Sequence, residues 1–367
     1  MVVVGGGAIG LCCAWRAAQR GARVVVLDRA QPPAGATRVA AGMLAPIGEL
    51  AFGEPELLRM TLAAAAAYPA FIAELEAAAG IGTGYMRQGA LHIALDRDEA
   101  AELRRVHDLQ RSLELSAEWL PPRRCRELEP GLTPSFNGGV HAPDEAVVDP
   151  RKLSEALLAA LSGAGVEVRA AAEVEVTEAL IAGERIEGVR TAAGEEFQAD
   201  AIVLASGAWS GSAAWLPEHS RPPVRPVKGQ ILELRTLDRE QPCERIIASE
   251  RVYLAPRPDG RLIVGATTEE RGFDSTVTAG GVHELLREAY RLLPDVAEME
   301  LVEAMAGLRP GTPDNLPLIG PGELDGLILA CGHHRNGILL APMTGEAVAA
   351  LLGDEPVPEP LSTGVGR

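Results

Sequence analysis

Gly332-His333-His334-Arg335-Asn336-Gly337-Ile338-Leu339-Leu340-Ala341-Pro342 follows the apolar run Leu327-Ile328-Leu329-Ala330 near the end of the chain. The apolar run predicts a buried strand, and the glycines after it predict a turn into a helix that starts near Met343. The chain opens with a second glycine-rich turn, Gly5-x-Gly7-x-x-Gly10. The two segments together predict a nucleotide-binding fold that both ends of the chain complete.

The opening turn has the sequence context that a dinucleotide site requires. It follows a predicted strand at residues 2–4, opens a predicted helix at residues 8–19, and precedes a predicted strand at residues 23–28 that ends on Asp28. Glycines let the backbone approach a pyrophosphate, helix N–H groups bind its charge, and Asp28 can bind ribose hydroxyls. The alternative is an ordinary strand–turn–helix connection. A ligand long enough to reach both ends of the chain favours FAD over NAD.

Beyond the opening unit, the sequence pattern changes from mostly helical to short strands and then to antiparallel strands. Residues 57–118 are mostly helical in pattern, and Asp149-Pro150 predicts the start of a helix that runs to about Leu161. Short predicted strands follow at residues 166–168, 174–176, 186–190 and 201–205. Residues 226–268 alternate as antiparallel strands around a hairpin turn at Pro258-Asp259-Gly260, and residues 283–293 form a predicted helix.

We therefore predict an α/β (α+β) protein with two domains. Residues 1–80, 140–222 and 300–367 form a discontinuous Rossmann-type FAD-binding domain. Residues 81–139 and 223–299 form an inserted antiparallel-sheet domain that binds the substrate.

The composition of the chain argues against nucleic acid and membranes as binding partners. The 51 acidic residues outnumber the 34 basic residues, giving a net charge of −17, which argues against nucleic acid and anionic membranes. The alanine-rich run at residues 62–79 contains Pro69, Glu74 and Glu76, which favours a packed helix over a membrane span. Five cysteines without a C-x-x-C pair, and a start that reads as a strand instead of a signal peptide, predict a reduced, cytoplasmic protein.

Three segments carry a family resemblance: Ala41-Gly42-Met43-Leu44-Ala45-Pro46, Gly307-Leu308-Arg309-Pro310-Gly311-Thr312 and residues 332–342. The chain resembles the D-amino-acid oxidase superfamily of flavoproteins, and within it the glycine oxidase subgroup of bacterial thiamine biosynthesis. The resemblance extends from Val2 to about Leu352. It implies a bound FAD, a small amino-acid substrate, oxygen as the electron acceptor, and a homo-oligomer that is a tetramer in the family.

The resemblance also implies which residues hold FAD. The candidates lie in the opening turn, in the segment near Ala41, at one position in the middle of the chain, and in the glycine-rich segment near its end. They are Gly5, Gly7, Ala8, Ile9, Gly10, Asp28, Arg29, Thr37, Ala41, Gly42, Met43, Val174, His333, His334, Arg335, Asn336, Gly337, Ile338 and Leu339. A helix start beside the flavin stabilises the negative charge of the reduced ring. The alternative for residues 333–339 is a loop that only caps the sheet.

Arg309 is the first candidate for the substrate, since a guanidinium binds a carboxylate through two parallel bonds. The resemblance adds Tyr253, whose hydroxyl would contact the same carboxylate, and Arg335, as a second arginine on the substrate side. The alternatives are an ion pair for Arg309, packing for Tyr253, and support of the flavin loop for Arg335. We predict no metal site at His333-His334, because adjacent residues seldom face one ion. The resemblance to sarcosine oxidases implies that a covalent flavin would be attached to a cysteine near Arg309, and residues 301–317 contain no cysteine, so we predict non-covalent FAD.

The implied function is oxidation of glycine and similar amines or D-amino acids to an imine, which water hydrolyses to a 2-oxo acid and ammonia while oxygen becomes hydrogen peroxide. This product would supply thiazole synthesis for thiamine. No catalytic acid–base residue is assigned, since a neutral amine needs no base. Two alternatives remain: an oxidase or dehydrogenase of D-amino acids, sarcosine or proline, and a flavoprotein that senses a nucleotide without turnover.

Overall fold

The computed structural model describes residues 1–238, 240–353 and 355–361 and has mixed α/β architecture. The helices of this described part are α1 (Ala8–Gln19), α2 (Gly35–Val39), α3 (Pro55–Ala79), α4 (Arg97–Ser112), α5 (Pro122–Leu128), α6 (Pro150–Gly163), α7 (Ala279–Leu292) and α8 (Gly337–Leu352).

The described residues also form nineteen strands, several of which follow one another without an intervening α-helix. They are β1 (Val2–Val4), β2 (Val25–Asp28), β3 (Met43–Leu44), β4 (Ala90–Ile93), β5 (Glu118–Leu120), β6 (Gly139–Ala142), β7 (Ala146–Val147), β8 (Glu167–Ala170), β9 (Val176–Ala182), β10 (Arg185–Thr191), β11 (Glu196–Gln198), β12 (Ile202–Leu204), β13 (Arg225–Arg235), β14 (Ile246–Ala248), β15 (Tyr253–Pro256), β16 (Arg261–Gly265), β17 (Glu300–Gly311), β18 (Leu318–Pro321) and β19 (Leu327–Cys331).

A six-stranded sheet in the order β18-β19-β12-β1-β2-β8 brings the two ends of the chain together. β1 pairs in parallel with β12 and with β2, so Val2 lies between Ile202 and Val25. Helices α1, α3, α6 and α8 cover one face of this sheet, and the three-stranded sheet β11-β10-β9 covers the other. Burial on both faces explains why the parallel strands are apolar throughout.

An eight-stranded sheet, β17-β13-β16-β15-β14-β4-β6-β5, forms the second layer. Its neighbouring strands are antiparallel except for β4 and β14, which are parallel. β17 lies in residues 300–367, which the predicted division gives to the FAD-binding domain, yet it pairs along its length with β13. The division into domains remains a prediction.

Helices α1 and α8 pack closely enough for their backbones to touch. A Cβ atom on Gly345 would lie 2.7 Å from the carbonyl oxygen of Cys12. Arg16 then joins three helices, because its Nε lies 2.8 Å from Glu346 Oε1 and its Nη1 lies 2.7 Å from Glu74 Oε2. The first and last helices of the chain are thus held against each other.

Helix α3 is long and apolar enough to cross a membrane by length and composition, and it is the one such helix among the described residues. Its side chains Leu57, Met60, Tyr68 and Phe71 are buried in the core that α1, α6 and α8 share. This packing accounts for its apolar face.

The predicted start of the last helix near Met343 is wrong, because α8 begins at Gly337 and contains Pro342. A proline inside a helix removes the N–H that would bond the carbonyl four residues earlier. That carbonyl belongs to Ile338, and the Tyr68 hydroxyl of α3 donates a hydrogen bond to it at 3.2 Å. A side chain from another helix therefore satisfies the freed carbonyl oxygen and lets α8 continue through the proline.

Two other local predictions need correction. The strand predicted at residues 174–176 begins only at Val176, because Ala172–Val174 forms a 3₁₀ turn that leads from the first sheet to the three-stranded sheet. The mostly helical region at residues 57–118 also contains β4, whose short apolar run shows no alternation because it is largely buried. The hairpin predicted at Pro258-Asp259-Gly260 is confirmed by the antiparallel pair β15–β16.

Gly10 gives the first prediction. A Cβ atom on this helical residue would overlap the carbonyl oxygen of Gly5, so α1 can lie this close to β1 only with glycine there. We expect Gly10→Ala to lower the free energy of unfolding by about 2 kcal/mol, as overpacked sites do. Urea-induced unfolding measures the change.

Gly163→Ala is the matched control, since that helical glycine has nothing within 4 Å of the position of an added Cβ. It should be neutral or stabilise by up to about 1 kcal/mol. Equal stability of the Gly10 variant and the wild type would contradict the close packing.

Candidate active site

A cavity of about 700 Å³ runs from the carboxyl end of β1 to the eight-stranded sheet, and its volume is typical of cofactor and ligand sites. Most of the residues predicted from the sequence line it. They are Gly5, Gly7, Ala8, Ile9, Asp28, Arg29, Thr37, Ala41, Gly42, Met43, Val174, Tyr253, Arg309, His333, His334, Arg335, Gly337 and Ile338.

Three predicted residues are not among the described residues that line the cavity. Gly10 lies behind the opening turn, and Leu339 is buried in the helical core. Asn336 lies in the 3₁₀ turn His334–Asn336, where its N–H bonds the carbonyl of His333 at 2.9 Å. Any contact of these three with a cofactor remains a prediction.

Several lining residues were not predicted. They include Glu49, Trp209, Trp215, Gly229 and Gly307. A signal existed for Trp209, because it follows β12, whose carboxyl end lies beside the glycine turn, the usual place for a ligand in a parallel sheet. No comparable local signal marks Glu49, which reaches the cavity from the loop between β3 and α3.

The glycine turn is held by side chains around it. Asp28 accepts hydrogen bonds from the N–H of Gly6 at 2.6 Å and of Ala30 at 2.9 Å. Thr37 Oγ1 accepts from the N–H of Ala8 at 3.0 Å. No side chain at the N-cap, Gly7, caps α1. The start of α1 is therefore positioned for an anion in the cavity.

A second helix start faces the same cavity at the other end of the chain. Gly337 and Ile338 open α8, and no side chain caps it at Asn336. Behind it, His333 Nε2 lies 2.9 Å from Thr344 Oγ1, whose proton goes to the carbonyl of Leu340 at 2.9 Å. His333 Nε2 is therefore the donor, and burial lowers the pKa of His333 to about 3, so the ring is neutral.

Arg309 lies on β17 at the far end of the cavity. Its Nη1 donates to the carbonyl oxygens of Thr267 at 3.1 Å and Lys228 at 3.4 Å. Gly229 makes room for it, since an added Cβ there would overlap the guanidinium. In the described part of the chain, neither Arg309 nor Arg335 forms an ion pair in contact with a carboxylate, although the Glu49 carboxylate shares the cavity and interacts with both charges at longer range.

Two neighbours of the arginines, Tyr253 and His334, are neutral at physiological pH. Burial raises the pKa of Tyr253 to about 12, so its hydroxyl keeps its proton. Burial, helped by Arg335, Arg309 and Arg225, lowers the pKa of His334 to about 4. The end of the cavity near Arg309 therefore has a positive field that suits a small carboxylate.

The described residues show no group of three His, Cys, Asp or Glu side chains arranged for a metal ion. Cys331 lines the cavity, but burial raises the pKa of its thiol to about 12, which leaves it protonated and a poor nucleophile.

Comparison with known proteins decides the family. Residues 1–351 match the model of the family described as DAO, FAD dependent oxidoreductase. The chain belongs to this family of FAD-dependent oxidoreductases. It is 35% identical to a glycine oxidase from Geobacillus kaustophilus over 96% of this chain and 92% of that protein. It is 36% identical to the bifunctional protein ThiO/ThiG of Trichormus variabilis over 97% of this chain but only 53% of that protein.

Solved structures of relatives have the same fold. The glycine oxidase from Geobacillus kaustophilus superposes with a TM-score of 0.90 at 32% identity, covering 99% of this chain and 97% of that one. An iminodiacetate oxidase from a Chelativorans species superposes with a TM-score of 0.88 at 28% identity, covering 99% and 98%.

The residues present fit FAD, the cofactor of this family. The cavity joins two helix starts without an N-cap side chain, one suited to a pyrophosphate and the other to the negative charge of a reduced flavin. Asp28 lies at the end of β2 beside the first helix start, where a ribose-binding acid is expected. The non-covalent mode of binding remains a prediction that the protonated Cys331 thiol favours.

Asp28 provides the second prediction. We expect Asp28→Ala to raise the dissociation constant of FAD at least about tenfold, because it removes a charged acceptor of two backbone N–H groups that shape the glycine turn. Release of flavin fluorescence on dilution measures the constant.

Asp108→Ala removes an exposed carboxylate from α4 and should leave FAD affinity unchanged. Equal affinities in all three proteins would show that Asp28 does not support the cofactor site.

Proposed function

We propose that this protein is an FAD-dependent amino-acid oxidase whose first substrate is glycine. The products would be an imine, then glyoxylate and ammonia from its hydrolysis, with hydrogen peroxide formed from oxygen. Similar small amines and D-amino acids would react more slowly. FAD, when bound, supplies the acceptor for the hydride that leaves the substrate α-carbon.

One observation carries this proposal: Arg309 and Arg335 share a cavity with the predicted flavin site and have no carboxylate partner among the described residues. Desolvation lowers the pKa of Arg309; a guanidinium nevertheless remains protonated in proteins. A buried, unpaired charge is costly, and a substrate carboxylate would remove that cost. The names of the relatives, glycine oxidase and iminodiacetate oxidase, fit an amine that carries a carboxylate.

The protein's own residues would orient the substrate and exclude water. Arg309 would bind the carboxylate through two of its nitrogen atoms, and its bonds to Thr267 and Lys228 fix the plane of the guanidinium. The neutral Tyr253 hydroxyl would donate to the same carboxylate. A fixed carboxylate limits where the α-carbon can lie, and this positioning is the main contribution such a protein makes.

The biosynthetic role, cellular location and oligomeric state of the protein are also proposed. The chain spans about half of the bifunctional ThiO/ThiG relative, and the similarity to that protein supports a proposed role in thiamine thiazole synthesis. Five free, buried cysteines support the proposed cytoplasmic location. A homo-oligomer is proposed from the family resemblance alone.

Peroxide release from the purified holoprotein tests the substrate. We expect glycine to give the highest kcat/KM in a panel with sarcosine, D-alanine and D-proline. A higher value for D-alanine or D-proline would favour the alternative oxidases, and flavin that no member of the panel reduces without oxygen would favour a protein that does not turn over these amines.

Arg309 gives the third prediction. We expect Arg309→Ala to raise KM for glycine about 100-fold, because a charge-assisted pair with the carboxylate is lost. Arg309→Lys should also be impaired, since a point charge cannot replace the planar fork. Steady-state kinetics with glycine measure both variants.

Arg123→Ala is the control, because Arg123 is an exposed residue on α5. Glycine kinetics that stay unchanged in the Arg309 variants would remove this residue from the substrate site.

A further inference from the structure

Glu49 is a carboxylate in the same cavity as Arg309 and Arg335, and no sequence motif assigns it a role. It lies in the loop that joins β3 to α3, directly after the segment that lines the cavity near Met43. Glu49 is an exposed residue that lines the cavity, and its carboxylate is close enough to Arg335 and Arg309 to interact with both charges.

Buried side chains hold this loop in place. Gln110, which is 2% exposed on α4, donates from Nε2 to the carbonyl of Ile47 at 3.1 Å. The buried Glu145 accepts a short hydrogen bond from the N–H of Gly48. The N–H of Glu49 itself bonds the carbonyl of Ala45 at 3.0 Å. The backbone is therefore held in place at Glu49 and at the two residues before it.

The Glu49 carboxylate has no hydrogen bond and no ion pair within the described residues, although the backbone that carries it is so well held. The charged and titratable groups that face it are Arg335, Arg309, Glu145, His92 and Tyr253. Desolvation raises the pKa of Glu49, and Arg335 opposes this rise most strongly. A carboxylate in this position has arginines nearby but no partner in contact.

The cavity therefore presents two guanidinium groups and one carboxylate, all three without a partner in contact in the described part of the chain. A zwitterionic amino acid carries the complementary charges on neighbouring atoms. A carboxylate alone would satisfy the arginines but would be repelled by Glu49. The arrangement distinguishes an amino acid from a simple organic anion and from a substrate with a second carboxylate near the amine.

We propose that Glu49 receives the amino group of the bound substrate and so selects amino acids over other carboxylates. The inference rests on the proposed function, since it assumes that Arg309 holds the substrate carboxylate. Glu49 would thus determine the specificity of that site. Its ligand would be a small amino acid whose nitrogen is cationic or donates a hydrogen bond.

The test uses opposite responses of two ligands in the holoprotein. In Glu49→Gln, glycine should bind at least about tenfold more weakly, because a charge-assisted hydrogen bond is lost. Acetate, which has the carboxylate but no amine, should bind roughly threefold more tightly, because a repelling charge is gone. Calorimetry on the holoprotein whose flavin has first been reduced by dithionite, and which therefore cannot oxidise glycine, gives both affinities, and peroxide release from the oxidised holoprotein gives KM for glycine.

Two variants complete the design. Glu49→Asp keeps the charge on a shorter side chain and should retain the preference for glycine over acetate in weakened form. Glu250→Gln makes the same change at an exposed position outside the cavity and should alter neither affinity.

Weaker binding of both ligands in Glu49→Gln would indicate a structural role and overturn the proposal. Tighter binding of both would also overturn it, since Glu49 would then only repel anions. Failure of the wild type to release peroxide from glycine would contradict the proposed function instead, because the comparison of the two affinities does not depend on turnover.

Discussion

The contact between the first and last helices of the chain determines the rest of the structure. Gly345 lets α8 lie against the backbone of α1 at Cys12, and Arg16 joins both helices to α3 through Glu346 and Glu74. Gly10 brings α1 equally close to β1. These contacts set the start of each helix at a fixed place beside the same sheet, so one ligand can meet both.

This geometry explains how a single cavity serves a nucleotide and an acid substrate. One part is lined by backbone amides and glycines, which suit phosphate and a flat ring system. The part beside the eight-stranded sheet carries Arg309, Arg335 and Glu49, which suit charges of both signs. The sheet that supplies Arg309 also closes this part of the cavity. A bound ligand that brings charges of opposite sign to these side chains would stabilise them further.

Apolar patterning, glycine spacing and helix capping correctly predicted the elements that depend on neighbouring residues in the sequence. The strand, glycine turn and helix at the start of the chain follow from apolar patterning and glycine spacing, and Asp149 caps α6 with bonds to the N–H groups of Arg151 and Lys152 as its position before Pro150 suggests. The start of α8 could not be predicted in this way. It depends on Tyr68, which lies 270 residues from Ile338 in sequence, to satisfy the carbonyl that Pro342 leaves free.

The residues of the candidate site likewise fall into those that local motifs predict and those that distant contacts position. Residues of the opening turn and of the last glycine-rich segment were predictable because motif and family resemblance mark them. Glu49 was missed because its position depends on Gln110 and Glu145, which reach its loop from distant parts of the chain. Val174 was predicted to line the cavity although its strand was misplaced, since the backbone lies at the sheet edge in either case.

Titration of the yellow holoprotein with glycine in the absence of oxygen tests the central claim most directly, because it needs both the flavin and a substrate held beside it. We expect the visible flavin absorbance to be bleached in proportion to the glycine added and to return when oxygen is admitted. Flavin that stays oxidised in saturating glycine, yet is reduced normally by dithionite, would contradict it.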